Sequence, residues 1–331
     1  MAFLAALTLA VPALCPAADN EKKPTMQTVD YHGWKNTLKL SNGDVELLIT
    51  LDVGPRILSY KLAGGNNVLK EYPEQLGKAG ESGWMIRGGH RLWVSPEDTQ
   101  RTYTPDNLPV KHEVLSDGTV RLLPEPDAFG IQKQIDVKLA PQGSGVTLTH
   151  RLTNVGQKPT ELAPWALTVM APGGVEIIPF PPHAPHPGSA SNAKSADDFG
   201  PNMELVLWPY FDFSDDRWTF GSKYITLRHK DRGPTKLGLA HREGWVAYLN
   251  GGNLFVKQIP FEKSKVYPDR GASYETFSNP DMVEMESLGP LVNLKPGEST
   301  ELVERWSLFG GVGEVKTEAD IDREIRSKIK D

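Results

Sequence analysis

Cysteine is almost absent: Cys15 is the single one in 331 residues, and it lies near the chain start. Beyond it the sequence has no means of forming a disulfide, a thiol nucleophile or a cysteine metal site, so stability must come from a packed core. Basic runs are absent too. No stretch of Lys or Arg exceeds a pair and the formal net charge is −6, which argues against a nucleic-acid partner, whose binding needs clustered cations. Three catalytic signatures are missing: Gly-x-Ser-x-Gly, a phosphate-binding glycine loop, and His-Glu-x-x-His. Helical periodicity is scarce, and no apolar run is long enough for a comfortable membrane span.

Residues 1–18 are nearly all apolar or small and stop at Asp19-Asn20-Glu21-Lys22-Lys23. This is the pattern of a signal peptide cleaved near Ala17 and Ala18, and it predicts an exported protein, periplasmic or extracellular. A lipoprotein processed at Cys15 is the alternative. A linker is expected over 19–36, then a single domain over 37–331.

Within that domain, strands and turns alternate. Residues 37–40 and 45–50 flank Ser41-Asn42-Gly43-Asp44, a hairpin signal, and Ser116-Asp117-Gly118 separates a second pair of short runs. Ile131, Ile135, Val137 and Leu139, then Val146, Leu148 and Leu152, recur with the period of half-buried antiparallel strands. Further strands are expected over 166–170, 224–229, 245–249, 254–258, 282–288 and 300–309. The fold class that follows is all-β, a large antiparallel sandwich. Residues 72–108 and 179–202 read as long irregular loops, where binding groups tend to sit. One short C-terminal helix is predicted, capped by Thr317, with Ile321, Ile325 and Ile329 as its docking stripe.

Glu284 and Glu286 share one face of the 282–288 strand while Val283 and Met285 take the other. The two carboxylates are then about 7 Å apart, within reach of one sugar-sized ligand, and Glu275 is placed to join them. A solvated outer face answered by lysines is the competing reading. The run Arg87-Gly88-Gly89-His90-Arg91-Leu92-Trp93-Val94-Ser95-Pro96-Glu97 puts a possible acid, guanidinium forks and a flat indole in a loop entered by two glycines. That mixture suits sugar recognition, although a structural loop pinned by Arg-carboxylate pairs looks similar. Lys257 is a charge in an apolar strand, facing either the same cleft or the surface. His183 and His186 have a spacing open to a metal but no third ligand nearby, so no metal and no cofactor is expected.

Several segments resemble the galactose mutarotase (aldose 1-epimerase) superfamily, and most closely its bacterial branch of unknown function. They are Val53-Gly54-Pro55-Arg56-Ile57-Leu58-Ser59, Gly88-Gly89-His90-Arg91 with Pro96, Thr153-Asn154-Val155-Gly156 with Pro159, and Glu286 followed by Leu294-Lys295-Pro296-Gly297-Glu298. The likeness spans about residues 37–309. It implies a carbohydrate ligand and an acid-base opening of a sugar, with Glu286 as base. Where relatives carry the partner histidine, this chain reads Leu162-Ala163-Pro164-Trp165-Ala166-Leu167. His90 is then the candidate acid beside Glu286 and Glu284. Arg91, Trp93, Lys257, Glu275, Trp165 and Arg87 are the candidate substrate-binding residues. The alternatives are a non-catalytic sugar-binding module of the same fold and a glycosidase or polysaccharide lyase.

Overall fold

The computed structural model describes residues 23–181, 183 and 185–329; the expected signal peptide over 1–18 lies outside them. Two antiparallel sheets face each other. The first runs, edge to edge, through Thr25–Tyr31, Trp34–Ser41, Val45–Thr50, Arg56–Leu62, His90–Ser95, Thr160–Met170, Met282–Leu288, Tyr274–Asn279, Thr235–Leu239 and Leu205–Leu207, with Val292–Leu294 paired beside Thr160–Met170. The second runs through Trp218–Phe220, Tyr224–Arg228, Val175–Pro179, Trp245–Asn250, Asn253–Gln258, Ser299–Phe309, Val146–Asn154, Ile131–Leu139, Val120–Leu123 and Lys111–Val114.

Alternation drives this arrangement. Along Val146–Asn154 every second residue is buried, because successive side chains of a strand point to opposite faces and only one face meets the partner sheet. Leu92, Val94, Val283, Met285, Tyr274 and Leu237 from the first sheet pack against Ile135, Leu148, Val246, Phe255, Trp306 and Leu308 from the second. Both predicted hairpins form: Trp34–Ser41 pairs with Val45–Thr50, and Lys111–Val114 pairs with Val120–Leu123.

Two expectations are corrected. The linker placed over 19–36 already contains an edge strand, since Thr25–Tyr31 pairs with Trp34–Ser41. The stretch expected to be a loop around residue 90 holds the central strand His90–Ser95, buried at every position. The glycines before it do serve the chain path. Gly88 and Gly89 have φ of +79° and +66°, and a Cβ on them would sit 2.0 Å from the Lys70 carbonyl and 2.2 Å from the Ile57 carbonyl. Only glycine fits there.

The C-terminal helix Glu318–Glu324 starts with a capping box between Thr317 and Asp320. Ile321 and Ile325 dock on the outer side of the second sheet, against Val175, Ala247 and Val256, with Ile329 packed alongside. Among the described residues no helix is long and apolar enough to cross a membrane.

Candidate functional site

The outward face of the first sheet, away from the second, carries an unusual density of charge and indole. Register explains it. Arg91 stands opposite Leu167, Leu167 opposite Glu286, and Glu286 opposite Glu275, which makes one row across four strands. The next row is Trp93, Trp165 and Leu288, and the row on the other side is Val169, Glu284, Phe277 and Lys236. Residues two apart on each strand thus share a face, as expected for Glu284 and Glu286.

Except for Val169, Leu288 and Glu275, these side chains line a cleft of about 330 Å³ together with Trp84, Glu97, Tyr103 and Tyr210 from the flanking loops. That lies near the lower end of the roughly 300–1,000 Å³ typical of small-molecule sites. Two further clefts of about 380 and 400 Å³ lie beside the C-terminal helix, where ionic groups such as Arg217 and Lys223 are tied up in pairs with Asp215 and Asp322.

Each cation of the cleft is paired and covered. Arg91 Nη1 lies 2.8 Å from Glu284 Oε1, and its guanidinium stacks 4.2 Å from the Trp93 ring and 5.3 Å from Trp84. Lys236 Nζ is 2.7 Å from Glu275 Oε2 and 2.9 Å from Glu286 Oε2, between the rings of Trp208 at 4.7 Å and Trp165 at 4.8 Å. Cations over indole faces are attracted by the ring quadrupole, more strongly when desolvated. The indoles also touch one another, with Trp93 5.3 Å from Trp165 and 4.9 Å from Trp84.

Glu286 is asymmetric. Its Oε2 accepts hydrogen bonds from Trp165 Nε1 at 2.9 Å and from Lys236 at 2.9 Å. Its Oε1 takes none from the described residues and belongs to a side chain lining the cleft. Burial pushes the Glu286 carboxyl up, against the pull of the Lys236 ammonium. Burial pushes Glu275, deeper in the sheet, well above the usual carboxylate range. For Lys236 burial opposes the charge, but the two carboxylates outweigh it and hold the ammonium protonated.

Four expected members do not line the cleft: Glu275 is 0% exposed and is joined to it through Lys236, and the other three lie elsewhere. His90 neighbours Arg91 in a strand, so it points to the opposite face, into the interior between the sheets. There its Nε2 meets His150 Nε2 at 2.7 Å and its Nδ1 meets Thr168 Oγ1 at 2.9 Å, while His150 Nδ1 lies 3.1 Å from the Leu302 carbonyl. A carbonyl only accepts, so the proton positions follow: His150 carries its hydrogen on Nδ1, His90 carries its own on Nε2, and Thr168 donates to His90 Nδ1. Both rings are neutral, because burial lowers the pKa of each. His90 therefore does not reach the cleft.

Lys257 also points inward, for the same reason of alternation, and neither the cleft nor the surface receives it. Its ammonium pairs with Glu304 Oε1 at 2.9 Å and donates to the Met285 carbonyl at 2.9 Å, bridging the sheets directly behind Glu286. One carboxylate oxygen of Glu304 and one nitrogen of each imidazole lie within 4.8 Å of one another, with Lys257 Nζ beside Glu304. Arg87 is fully buried among its own loop: it donates to the Lys78 carbonyl at 2.9 Å and to Asn107 Oδ1 at 3.0 Å, and pairs with Glu81. It pins the wall of the cleft without lining it. His183 and His186 lie on exposed chain, and His186 Nδ1 accepts from the Gly188 N–H at 3.0 Å.

No family model and no curated protein matches the sequence. Solved structures do match in shape. A galactose mutarotase-like protein from Lactobacillus casei superimposes with a TM-score of 0.54 at 10% identity, covering 83% of this chain and 100% of that one. The fold is galactose mutarotase-like. A galactose mutarotase related enzyme from Lactobacillus acidophilus agrees, with a TM-score of 0.51 at 10% identity over 85% of this chain and 100% of that one. A TPR-domain containing protein from Parabacteroides distasonis gives 0.55 at 15% identity over 85% of this chain, which spans 48% of that longer protein. The galactose mutarotase-like sheet thus supplies the frame on which the Arg91, Glu284, Glu286 and Lys236 cleft is built.

Sequence alone does not single out Lys236, Trp84, Tyr103, Tyr210 and Phe277. Lys236 had a usable signal, since Thr235-Lys236-Leu237-Gly238-Leu239 alternates as a strand. The aromatic residues of the flanking loops carried none.

Proposed function

We propose that this chain is a carbohydrate-active protein that holds a monosaccharide-sized ring in the cleft and that Glu286 is its base. The observation that carries the reading is the asymmetry of the Glu286 carboxylate. Trp165 and Lys236 fix one oxygen and favour the ionised form, so the other oxygen is presented to a ligand hydroxyl in a constant position. Trp84 and Tyr103 offer apolar ring surface against which the C–H face of a pyranose packs. Sugar ring opening also needs a proton delivered to the ring oxygen. Tyr210 is a suitable cleft donor, since burial pushes its hydroxyl up to about 12 and it stays protonated at neutral pH.

A second reading keeps the ligand and drops the turnover. It is favoured by the cleft lining, which among the described residues includes no histidine. A thermal-shift screen of the chain from Asp19 onward against aldoses, followed by polarimetry of the anomers of any sugar that binds, separates the two. Glu286→Gln is expected to abolish turnover, or at least tenfold of affinity if there is no turnover, with the fold intact by circular dichroism. Unchanged binding and unchanged turnover in that variant would remove Glu286 from the function.

A further inference from the structure

The charge arrangement in the cleft bears on which sugars it accepts. Its lining holds three carboxylates, Glu97, Glu284 and Glu286, against two cations, Arg91 and Lys236. Both cations are already paired, Arg91 with Glu284 at 2.8 Å and Lys236 with Glu275 and Glu286 at 2.7 and 2.9 Å. Both are also covered by indole rings on their faces. An incoming phosphate or carboxylate therefore meets no unpaired cation here and would have to break an existing buried pair, which leaves a charge uncompensated. Hydrogen-bonding capacity remains on both signs, since Arg91 Nε and Nη1 make no hydrogen bond among the described residues, but the lining holds one more carboxylate than cation. Glu286 Oε1 takes no hydrogen bond among the described residues, and Glu97, exposed at the rim, uses Oε1 to accept from the Tyr103 hydroxyl at 2.5 Å. An ammonium group entering between them would meet anionic oxygens and the ring faces of Trp84 and Tyr103, a combination that attracts cations by charge and by ring quadrupole together.

We propose that the cleft discriminates by charge, binding an amino sugar more tightly than its neutral parent and turning away uronic acids and sugar phosphates. This rests on the reading of the cleft as a sugar site and adds the class of sugar.

The test uses matched sets in the gluco, galacto and manno series, each made of the 2-amino sugar, the neutral hexose, the uronic acid and the 6-phosphate, titrated calorimetrically against the whole chain at low and at 0.5 M salt. Within the series that binds, the amino sugar is expected to bind about tenfold more tightly than the hexose. The two anionic sugars should bind at least tenfold more weakly, and salt should erode the amino-sugar advantage. In Glu97→Gln that advantage should shrink. An anionic sugar that binds as well as the hexose, or an amino sugar that binds no better, overturns the charge inference and leaves the sugar site standing. If no member of any set binds, the sugar reading fails and the inference fails with it.

Discussion

Lys236 is the residue whose removal should be felt most sharply, because its ammonium is all that separates two buried carboxylates. Lys236→Met keeps length and apolar contact with Trp165 and Trp208 while deleting the charge. Glu275 and Glu286, 0% and 1% exposed, would then face each other without a cation. Breaking a buried pair from one side costs about 3–5 kcal/mol, and at about 2 °C per kcal/mol for a chain of this size the midpoint should fall by roughly 6–10 °C. The loss must depend on pH. In the variant both carboxyls are pushed further above their unfolded value near about 4.3, so the folded state binds protons that the unfolded state releases. Stability is then lost as pH rises through that window, and the deficit should be larger at pH 8 than at pH 5. Urea denaturation of wild type and variant at both pH values measures it. Adding Glu275→Gln to the variant should recover most of the loss. A deficit under about 1 kcal/mol at pH 8, or one equal at the two pH values, would refute the account of Lys236 as the compensating charge.

Two further outcomes test the scaffold. Gly89→Ala should cost at least about 2 kcal/mol by thermal melting, since it adds backbone strain at positive φ to a Cβ pressed 2.2 Å from the Ile57 carbonyl. Gly43→Ala, also at positive φ but with open space around it, should cost only the strain, so equal losses would count against the clash. Glu176 is buried between the sheets, where Tyr274 and Thr276 donate to it, and burial pushes its carboxyl up from 4.5 to about 7. Its contribution is complete below about pH 4.5 and declines by about 3 kcal/mol as pH rises through 7; melting curves from pH 5 to 8.5 should show this decline in wild type and a flatter profile in Glu176→Gln.

Where one face of a strand meets the core and the other does not, the sequence was readable. Val283 and Met285 are apolar and Glu284 and Glu286 are not, so periodicity alone put the two carboxylates side by side, and the Asn42-Gly43 turn placed its hairpin for equally local reasons. His90–Ser95 defeated the same logic. Both of its faces are buried, so neither face is marked by polarity, and the glycines before it suggested a loop. His90 and Lys257 were misassigned because a polar residue in an apolar context reads equally well as a ligand contact or as part of an interior network. For His90 the deciding partner is His150 on the second sheet, and for Lys257 it is Glu304 on the neighbouring strand of its own sheet. The partnership of Lys236 with Glu275 and Glu286 joins residues about forty to fifty positions apart, a distance at which sequence carries no pairing signal.

Four of the eight tryptophans, Trp84, Trp93, Trp165 and Trp208, stand around Arg91 and Lys236. Three of them line the cleft and the fourth touches Lys236, next to charges whose field tunes indole emission. The protein carries its own optical reporter: filling the cleft or shifting the Lys236 contacts should alter the colour and intensity of its ultraviolet fluorescence without any label.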